Sequence, residues 1–293
     1  MKPKVLILMA FHNGEKWVEE QLTSILYQNK VLLDVIIGND NSSQESTVFI
    51  ENLVKNFPNV SSVEIDGGSP ANTFYKLICY SNPDKYDFFA FSDQDDIWMP
   101  EKLLHSINIM NKGSYAGSSS LTLPFSHTGI SFKNKHTTNL KKYDHFFQAC
   151  GPGCTYTLNK AFFIKLKKYL LSVNNYNDIQ YHDWFIYAFT RSSGGKWKFI
   201  NQSTIFYRIH DSNIHGLPFS KKGLAQRIHL LIGGPYAKQT LFLIANFSNN
   251  ALNDRLKKSK VRLYLFLFFN FRQTRRSLLS AIFQPVIFFL SRK

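Results

Sequence analysis

Apolar positions along this chain follow two alternating rhythms. Continuous runs, Val5-Leu6-Ile7-Leu8-Met9-Ala10 and then Leu33 to Gly38, have the length of strands covered on both faces. Between them Val18, Leu22, Ile25 and Leu26 recur at i, i+4, i+7 and i+8, the stripe of an amphipathic helix. Ser42 with Glu45 three residues later reads as a capping box, opening a helix whose Val48, Leu53, Val54 and Phe57 point inward. The alternation continues with a short strand over Val63 to Ile65, a helix over Asn72 to Tyr80 with Phe74, Leu77 and Ile78 on its apolar side, and a central strand over Phe88 to Phe91. Pro100 suits the first turn of a further helix, whose Leu103, Leu104, Ile107 and Met110 face inward.

This order predicts an α/β fold with a mostly parallel central sheet and helices on both faces. Ligands bind at the carboxyl ends of strands in such sheets. Phe11-His12-Asn13, Asn39-Asp40 and Asp93 to Asp96 each follow a strand and are expected to meet in one crevice. Gly113 to Tyr143 is rich in Ser, Thr, Asn, Lys and Gly and predicts loops and short edge strands. A strand over Thr155 to Leu158, helices over Lys160 to Leu170 and His182 to Thr190, and strands over Lys198 to Ile200 and Thr204 to Tyr207 complete a sheet expected to end near Gly216.

The chain has 293 residues, 44% hydrophobic and 19% charged, enough to bury a sizeable core. Its net charge of +15 would by itself suggest nucleic acid or an anionic surface. The charge is not evenly spread: residues 218–293 hold fourteen Lys or Arg and one acid, Asp254, whereas residues 1–217 hold 21 bases and 19 acids. We therefore expect a nearly neutral domain over 1–217 and a basic helical tail over 218–293. In the tail Leu224, Ile228, Leu231 and Ile232 alternate with bases, and Leu263 to Phe271 and Leu278 to Leu290 are apolar and aromatic, broken by Arg275-Arg276 and Pro285. The longest apolar run, Leu263 to Phe269, is far short of the roughly 18 residues of a spanning helix. The pattern suits helices in a membrane interface with bases toward anionic lipid, or helices packed on the body or a sister subunit. No nucleic-acid-binding motif is present, and nucleic acid is not expected as a partner. Cys79, Cys150 and Cys154 are an odd set that builds no disulfide framework and favours a reducing compartment. A strand follows Lys4 without the apolar region and cleavage site of a signal peptide, so a cytoplasmic location is expected.

The most informative chemistry is Asp93-x-Asp95-Asp96 straight after the strand Phe88 to Phe91. Three carboxylates in four residues repel one another unless a cation or basic partner sits among them. Mn2+ or Mg2+ does this with oxygen ligands and keeps substrate phosphate oxygens in its shell, which points to a phosphorylated or nucleotide ligand. The alternative is a solvated turn capping the next helix. Cys150-Gly151-Pro152-Gly153-Cys154 is not spaced as C-x-x-C and has no second pair, so it is not read as a metal or redox site.

Four stretches resemble the inverting glycosyltransferases of family 2, with the GT-A fold, and most nearly the rhamnosyltransferase-like branch. They are Phe11-His12-Asn13-Gly14-Glu15 with Gln21 to Ile25, Asn39-Asp40-Asn41-Ser42, Ser92-Asp93-Gln94-Asp95-Asp96-Ile97-Trp98, and His182-Asp183-Trp184 with Tyr207-Arg208-x-His210. The resemblance implies that Ala10, Phe11, Asn13 and Glu15 form the first nucleotide-binding loop, and that Asp40 accepts a hydrogen bond from a pyrimidine. Asn39 stands where the family usually has a first acid. Asn72 is a weaker donor-side candidate. Asp93 is implied near the ribose and diphosphate, Asp95 as main metal ligand, His210 as a further contact to metal or diphosphate, and Arg208 as a diphosphate clamp. Asp183 is implied as the general base, with Cys154, His182 and Trp184 on the acceptor side. The implied activity is metal-dependent transfer of a sugar, L-rhamnose from dTDP-L-rhamnose before UDP-hexose or UDP-N-acetylhexosamine, to a lipid-linked oligosaccharide at the cytosolic face of a bacterial inner membrane, in O-antigen or capsule synthesis. A catalytically silent membrane-bound scaffold is the non-enzyme alternative, and a homo-oligomer is left open.

Overall fold

Strand β1 (Lys4–Phe11) is the spine of the fold, with Val5 to Met9 all fully buried. It pairs in parallel with β2 (Leu32–Asp40) on one side and β4 (Phe88–Ser92) on the other, so Val5 sits between Leu33 and Phe88. β3 (Val60–Ile65) adds in parallel outside β2. Helices α1 (Glu15–Leu26), α2 (Gln44–Lys55) and α3 (Pro70–Tyr80) make the crossovers. Val18, Leu22 and Ile25 of α1 are wholly buried, as their spacing predicts. Two local expectations change: the cap of α2 is Ser43, whose hydroxyl accepts from the Ser46 amide at 3.2 Å, and Val48 faces solvent.

Beyond β4 the sheet becomes mixed. β8 (Thr157–Asn159) pairs antiparallel with β4 and with β6 (Gly117–Ser126); β6 runs parallel to β9 (Trp197–Arg208), which pairs antiparallel with β5 (Ile97–Trp98). β7 (Gly129–Ile130) hangs on β6. The ten-residue β6 lies where loops and short edge strands are expected from composition. Two of its buried serines are satisfied from β9: Trp197 Nε1 donates to Ser119 Oγ at 2.9 Å, and the hydroxyls of Ser120 and Thr204 are 2.6 Å apart. A hydropathy pattern cannot show a strand whose buried side chains are hydroxyls. Gly117 is required here, because a Cβ would meet the Trp197 ring at 2.4 Å. β9 is one strand where two are expected, irregular in its register with β6 around Ser120–Thr122. α4 (Lys102–Gly113) and α5 (Lys160–Ser172) complete these layers.

The structure, a computed structural model, describes residues 1–126, 129–130, 139–173, 179–210, 234–248 and 260–290. The contacts group the chain into two units. The sheet and its helices form the first: Met1–Asn134, Gly151–Asn174 and Gly195–Arg208. The second joins Lys135–Cys150, Asn175–Gly194 and Ile209–Lys293. That grouping differs from the single boundary expected at 217/218, because the tail is built together with two segments from earlier in the chain. Gly216, Pro218 and the Leu224, Ile228, Leu231, Ile232 stripe lie outside the described residues.

In the second unit α6 (His182–Ser192), α7 (Pro235–Phe247), α8 (Lys260–Thr274) and α9 (Leu278–Leu290) accompany a 3-10 turn at Asp144–Phe146. Asp144 is fully buried at its centre. It accepts from Tyr187 Oη at 2.8 Å and Arg191 Nη1 at 3.4 Å, and Arg276 Nε lies 3.7 Å from its other oxygen. Gln239 of α7 exchanges two hydrogen bonds with the Tyr181 backbone, 2.8 and 2.9 Å. Among the described residues no helix is long and apolar enough to cross a membrane.

Breaking a buried ion pair leaves an uncompensated charge, at about 3–5 kcal/mol. Asp144→Ala, which strips two arginines of their shared partner, is expected to lower the stability of the full chain by that amount in urea unfolding, whereas a change at exposed Glu51 lowers it by less than about 0.5 kcal/mol.

Candidate active site

Three strand-end loops meet, as their positions in the sequence predict. After β1 and β2 the backbone turns at Asn13 (φ 45°) and Asn41 (φ 50°), in the left-handed region that Asn tolerates better than most residues. His12 Nδ1 is 2.6 Å from the Asp40 carbonyl oxygen, the Asn13 amide donates to Ser42 Oγ at 3.1 Å, and Ser43 N donates to Asn13 Oδ1 at 2.8 Å. Gln94 ties the β4 loop to the β1 loop, accepting from His12 N at 2.8 Å and donating to His12 O at 3.1 Å. Buried Gln21 of α1 donates to Ser92 Oγ at 2.7 Å and to the Asp93 carbonyl at 3.1 Å. Ala10 is half-buried, Phe11 is buried, and Glu15 opens α1, where a carboxylate favours the helix dipole.

Asp40 is bound by the protein itself. Its Oδ1 accepts from the amides of Gly67 and Gly68 at 2.8 and 2.9 Å, and its Oδ2 from Thr73 Oγ1 at 2.6 Å. The carboxylate thereby fixes the loop between β3 and α3 against the end of β2. Asn72 supports the same loop, donating to the Gly67 carbonyl at 3.1 Å. Asn39 is buried and donates to Glu64 Oε1 at 2.7 Å and Thr47 Oγ1 at 2.9 Å. A carboxylate at position 39 would face Glu64 with like charge, which accounts for the amide there.

The acid loop has a buried floor. Asp96 is wholly buried; its Oδ1 accepts from the Arg208 amide at 3.1 Å. Burial, with Asp93 and Asp95 adding repulsion, holds its carboxyl well above the usual range. Cys154 is equally buried, its thiol hydrogen-bonded to Asp96 and pushed up by burial and then by the neighbouring carboxylates. Expected on the acceptor side, Cys154 is instead sealed beneath the loop. Ligand atoms of Asp93, Asp96 and Cys154 lie within 4.8 Å of one another, but a protonated thiol is a poor ligand for a hard ion and Asp96 already serves Arg208. The oxygen donors that fit Mn2+ or Mg2+ are those of Asp93 and Asp95, half-buried above the floor. Arg208, the expected clamp, holds the loop from the end of β9: its Nε donates to the Asp95 carbonyl at 2.8 Å, its Nη2 pairs with Glu20, and its guanidinium stacks 4.6 Å from the Phe125 ring.

The other expected residues belong to the second unit. Asp183 stands in the first turn of α6, its Oδ1 accepting from the Trp184 amide at 2.7 Å. The carboxylate is crowded by protein although its residue keeps some exposed surface, and burial pushes its carboxyl up to about 6, opposed by the backbone amides. Trp184, expected beside the acceptor, is core: it is buried, donates to the His145 carbonyl at 2.9 Å and stacks 5.0 Å from Tyr236. His182 and His210 are half-buried. Gln94, Gln21 and Thr73 carry roles the sequence reading did not assign. A polar Gln21 one helical turn from Val18 and beside Leu22, on the buried face of α1, was the available signal.

Residues 6–165 match the model of glycosyl transferase family 2. Among curated proteins the chain is 34% identical, over 86% of its own length and 89% of the relative's, to the dTDP-rhamnosyl transferase RfbG of Shigella flexneri. Among solved structures it superposes on TarS of S. aureus in complex with UDP-GlcNAc (TM-score 0.59, 14% identity, 94% of this chain and 75% of that one). It also superposes on a mannosyltransferase from Pyrobaculum calidifontis in complex with GDP-Man and Mn2+ (TM-score 0.54, 12% identity, 98% and 88%). The chain belongs to glycosyl transferase family 2, and its sheet has the GT-A arrangement.

Proposed function

We propose that this family 2 glycosyltransferase moves L-rhamnose from dTDP-L-rhamnose to a hydroxyl of a lipid-linked oligosaccharide during synthesis of a bacterial surface polysaccharide such as O-antigen. The observation that carries the donor is the 34% identity, nearly end to end, with a dTDP-rhamnosyl transferase. The strand-end loops around Asn13, Asp40 and Asp93 supply amides and carboxylates where a nucleotide binds in such a sheet. Asp93 and Asp95 would hold Mn2+ or Mg2+, which supplies positive charge to a diphosphate leaving group. Asp183 takes the proton of the acceptor hydroxyl as it attacks the anomeric carbon from the face opposite the diphosphate. A carboxyl raised to about 6 is a stronger base than an ordinary aspartate, yet it is still ionised near neutral pH.

We further propose that the enzyme works as a peripheral protein on the cytosolic face of the inner membrane. Two stripes support this reading: Leu265, Phe268 and Phe269 on α8, and Leu279, Ile282 and Phe283 on α9, are exposed, while Leu263, Leu267 and Ala281 face inward. Arg262 and Arg272 are exposed on the same helix as the first stripe, as an anionic lipid surface requires.

Calorimetric titration with dTDP, UDP and GDP, with and without Mn2+, tests the donor. Manganese-dependent binding of dTDP above UDP is expected; preference for UDP would move the assignment to hexosyl transfer. Asp183→Asn is expected to lower turnover by roughly 10²–10⁴-fold with dTDP affinity retained. The wild-type rate should fall as pH drops through about 6, where Asp183 gains its proton; an acid limb near 4 would exclude it as base. In vesicle flotation the full chain should bind phosphatidylglycerol vesicles better than phosphatidylcholine ones. Phe269→Asp with Leu279→Asp should release it, since burying each such side chain is worth about 1.5–3 kcal/mol.

A further inference from the structure

Asp40 has no acceptor site left for a ligand. A carboxylate offers about four lone-pair positions, and the protein fills them all. The Gly67 and Gly68 amides donate to Oδ1 at 2.8 and 2.9 Å, the Asn41 side-chain amide donates to the same oxygen at 3.3 Å, and the Thr73 hydroxyl donates to Oδ2 at 2.6 Å. The residue is 7% exposed. Gly67 is fitted tightly against this group, since a Cβ there would meet Asp40 Oδ2 at 2.9 Å and Thr73 Oγ1 at 2.6 Å. A base N–H reaching the end of β2 would have to displace one of these bonds and loosen the loop between β3 and α3.

An open acceptor lies beside it. β2 and β3 stay in register to their last pair, Asp40 beside Ile65, so Asn41 and Asp66 leave the sheet side by side. The Asn41 amide nitrogen, which donates to Asp40, also donates to Asp66 Oδ1 at 3.0 Å. Lys76 of α3 donates to the Asp66 carbonyl. Asp66 is therefore fixed through both its side chain and its backbone, yet it is exposed, and its Oδ2 has no partner among the described residues.

We propose that Asp66 reads the base of the nucleotide-sugar donor, its open carboxylate oxygen accepting the N3–H of thymine, while Asp40 builds the loop that presents it. The acceptor is thereby moved one strand outward from the residue that the sequence suggests. Cytosine carries a lone pair at the same ring nitrogen, which a carboxylate repels, so the contact that admits an imide base rejects cytidine nucleotides. The inference rests on the nucleotide-sugar reading of the crevice and deepens it to the class of base.

Calorimetric titration of the full chain with dUDP and dCDP in the presence of Mn2+ tests it, because these ligands differ only along the edge that carries N3 and C4. The wild-type chain is expected to bind dUDP at least about tenfold more tightly than dCDP, the scale of one hydrogen bond to a charged group. In Asp66→Asn, whose amide either accepts from an N–H or donates to a lone pair, and in Asp66→Ala, which does neither, the two affinities should converge. Asp40→Asn is expected to weaken both ligands alike and keep their ratio, since it loosens the loop without touching the base. Asp66 is exposed, so its variants decide the matter alone should Asp40→Asn not fold. A wild-type ratio retained in both Asp66 variants would overturn the assignment, as would a ratio abolished by Asp40→Asn and by neither of them. Equal binding of dUDP and dCDP by the wild-type chain would also overturn it while leaving the donor reading in place. If the wild-type chain binds no nucleotide, the donor reading has failed and the role of Asp66 falls with it.

Discussion

Mutual repulsion of three carboxylates at the end of β4 is the constraint around which the first unit is organised. Asp93, Asp95 and Asp96 cannot all stand ionised on one short turn without help. The fold resolves this by depth. Asp96 is sunk to complete burial beside Cys154 and Arg208, which leaves Asp93 and Asp95 as the two half-buried carboxylates of the turn. Much of the surrounding architecture serves that division: β9 runs back to deliver Arg208, and β5 pairs with it so that the acid turn is flanked by ladder hydrogen bonds.

The polar side chains that join the strand ends form a second layer of control. Gln94, Asn13 and Asp40 each bond to a loop other than their own, so the three loops act as one rim. Bonds from side chain to backbone of this sort hold irregular segments in place without requiring them to be regular. They also explain why Asp40, which looks in sequence like a group reserved for a ligand, is occupied with Gly67, Gly68 and Thr73: the rim has to be built before it can hold anything.

The first four strands and their helices were legible because apolar runs and stripes report burial directly, as at Val5 to Met9 and at Val18, Leu22 and Ile25. The crevice was legible because its three clusters each follow such a strand. What escaped was polar and buried. β6 hides behind Ser118, Ser119 and Ser120, and the hydroxyls of Ser119 and Ser120 find partners, Trp197 and Thr204, that are distant in the chain. Trp184 and Cys154 look exposed and functional beside their motif neighbours, yet both are sealed, because motif adjacency says nothing of which way a side chain packs. The grouping of the tail with residues 135–150 was equally invisible, since it depends on Asp144 and Arg276 meeting across nearly half the chain.

That last pairing sets an order of events during biosynthesis. Chains fold from the amino end as they emerge from the ribosome, and Asp144 emerges well before the helices that carry its partners. Until Arg276 is released, the second unit has a carboxylate with half its countercharge missing and has to keep it wet. Its closure therefore follows the emergence of the described strands of the first unit, which end at Arg208. A message cut short before Arg276 would yield a second unit in which Asp144 keeps only Arg191 as its countercharge, a species that proteolytic surveillance is well placed to recognise.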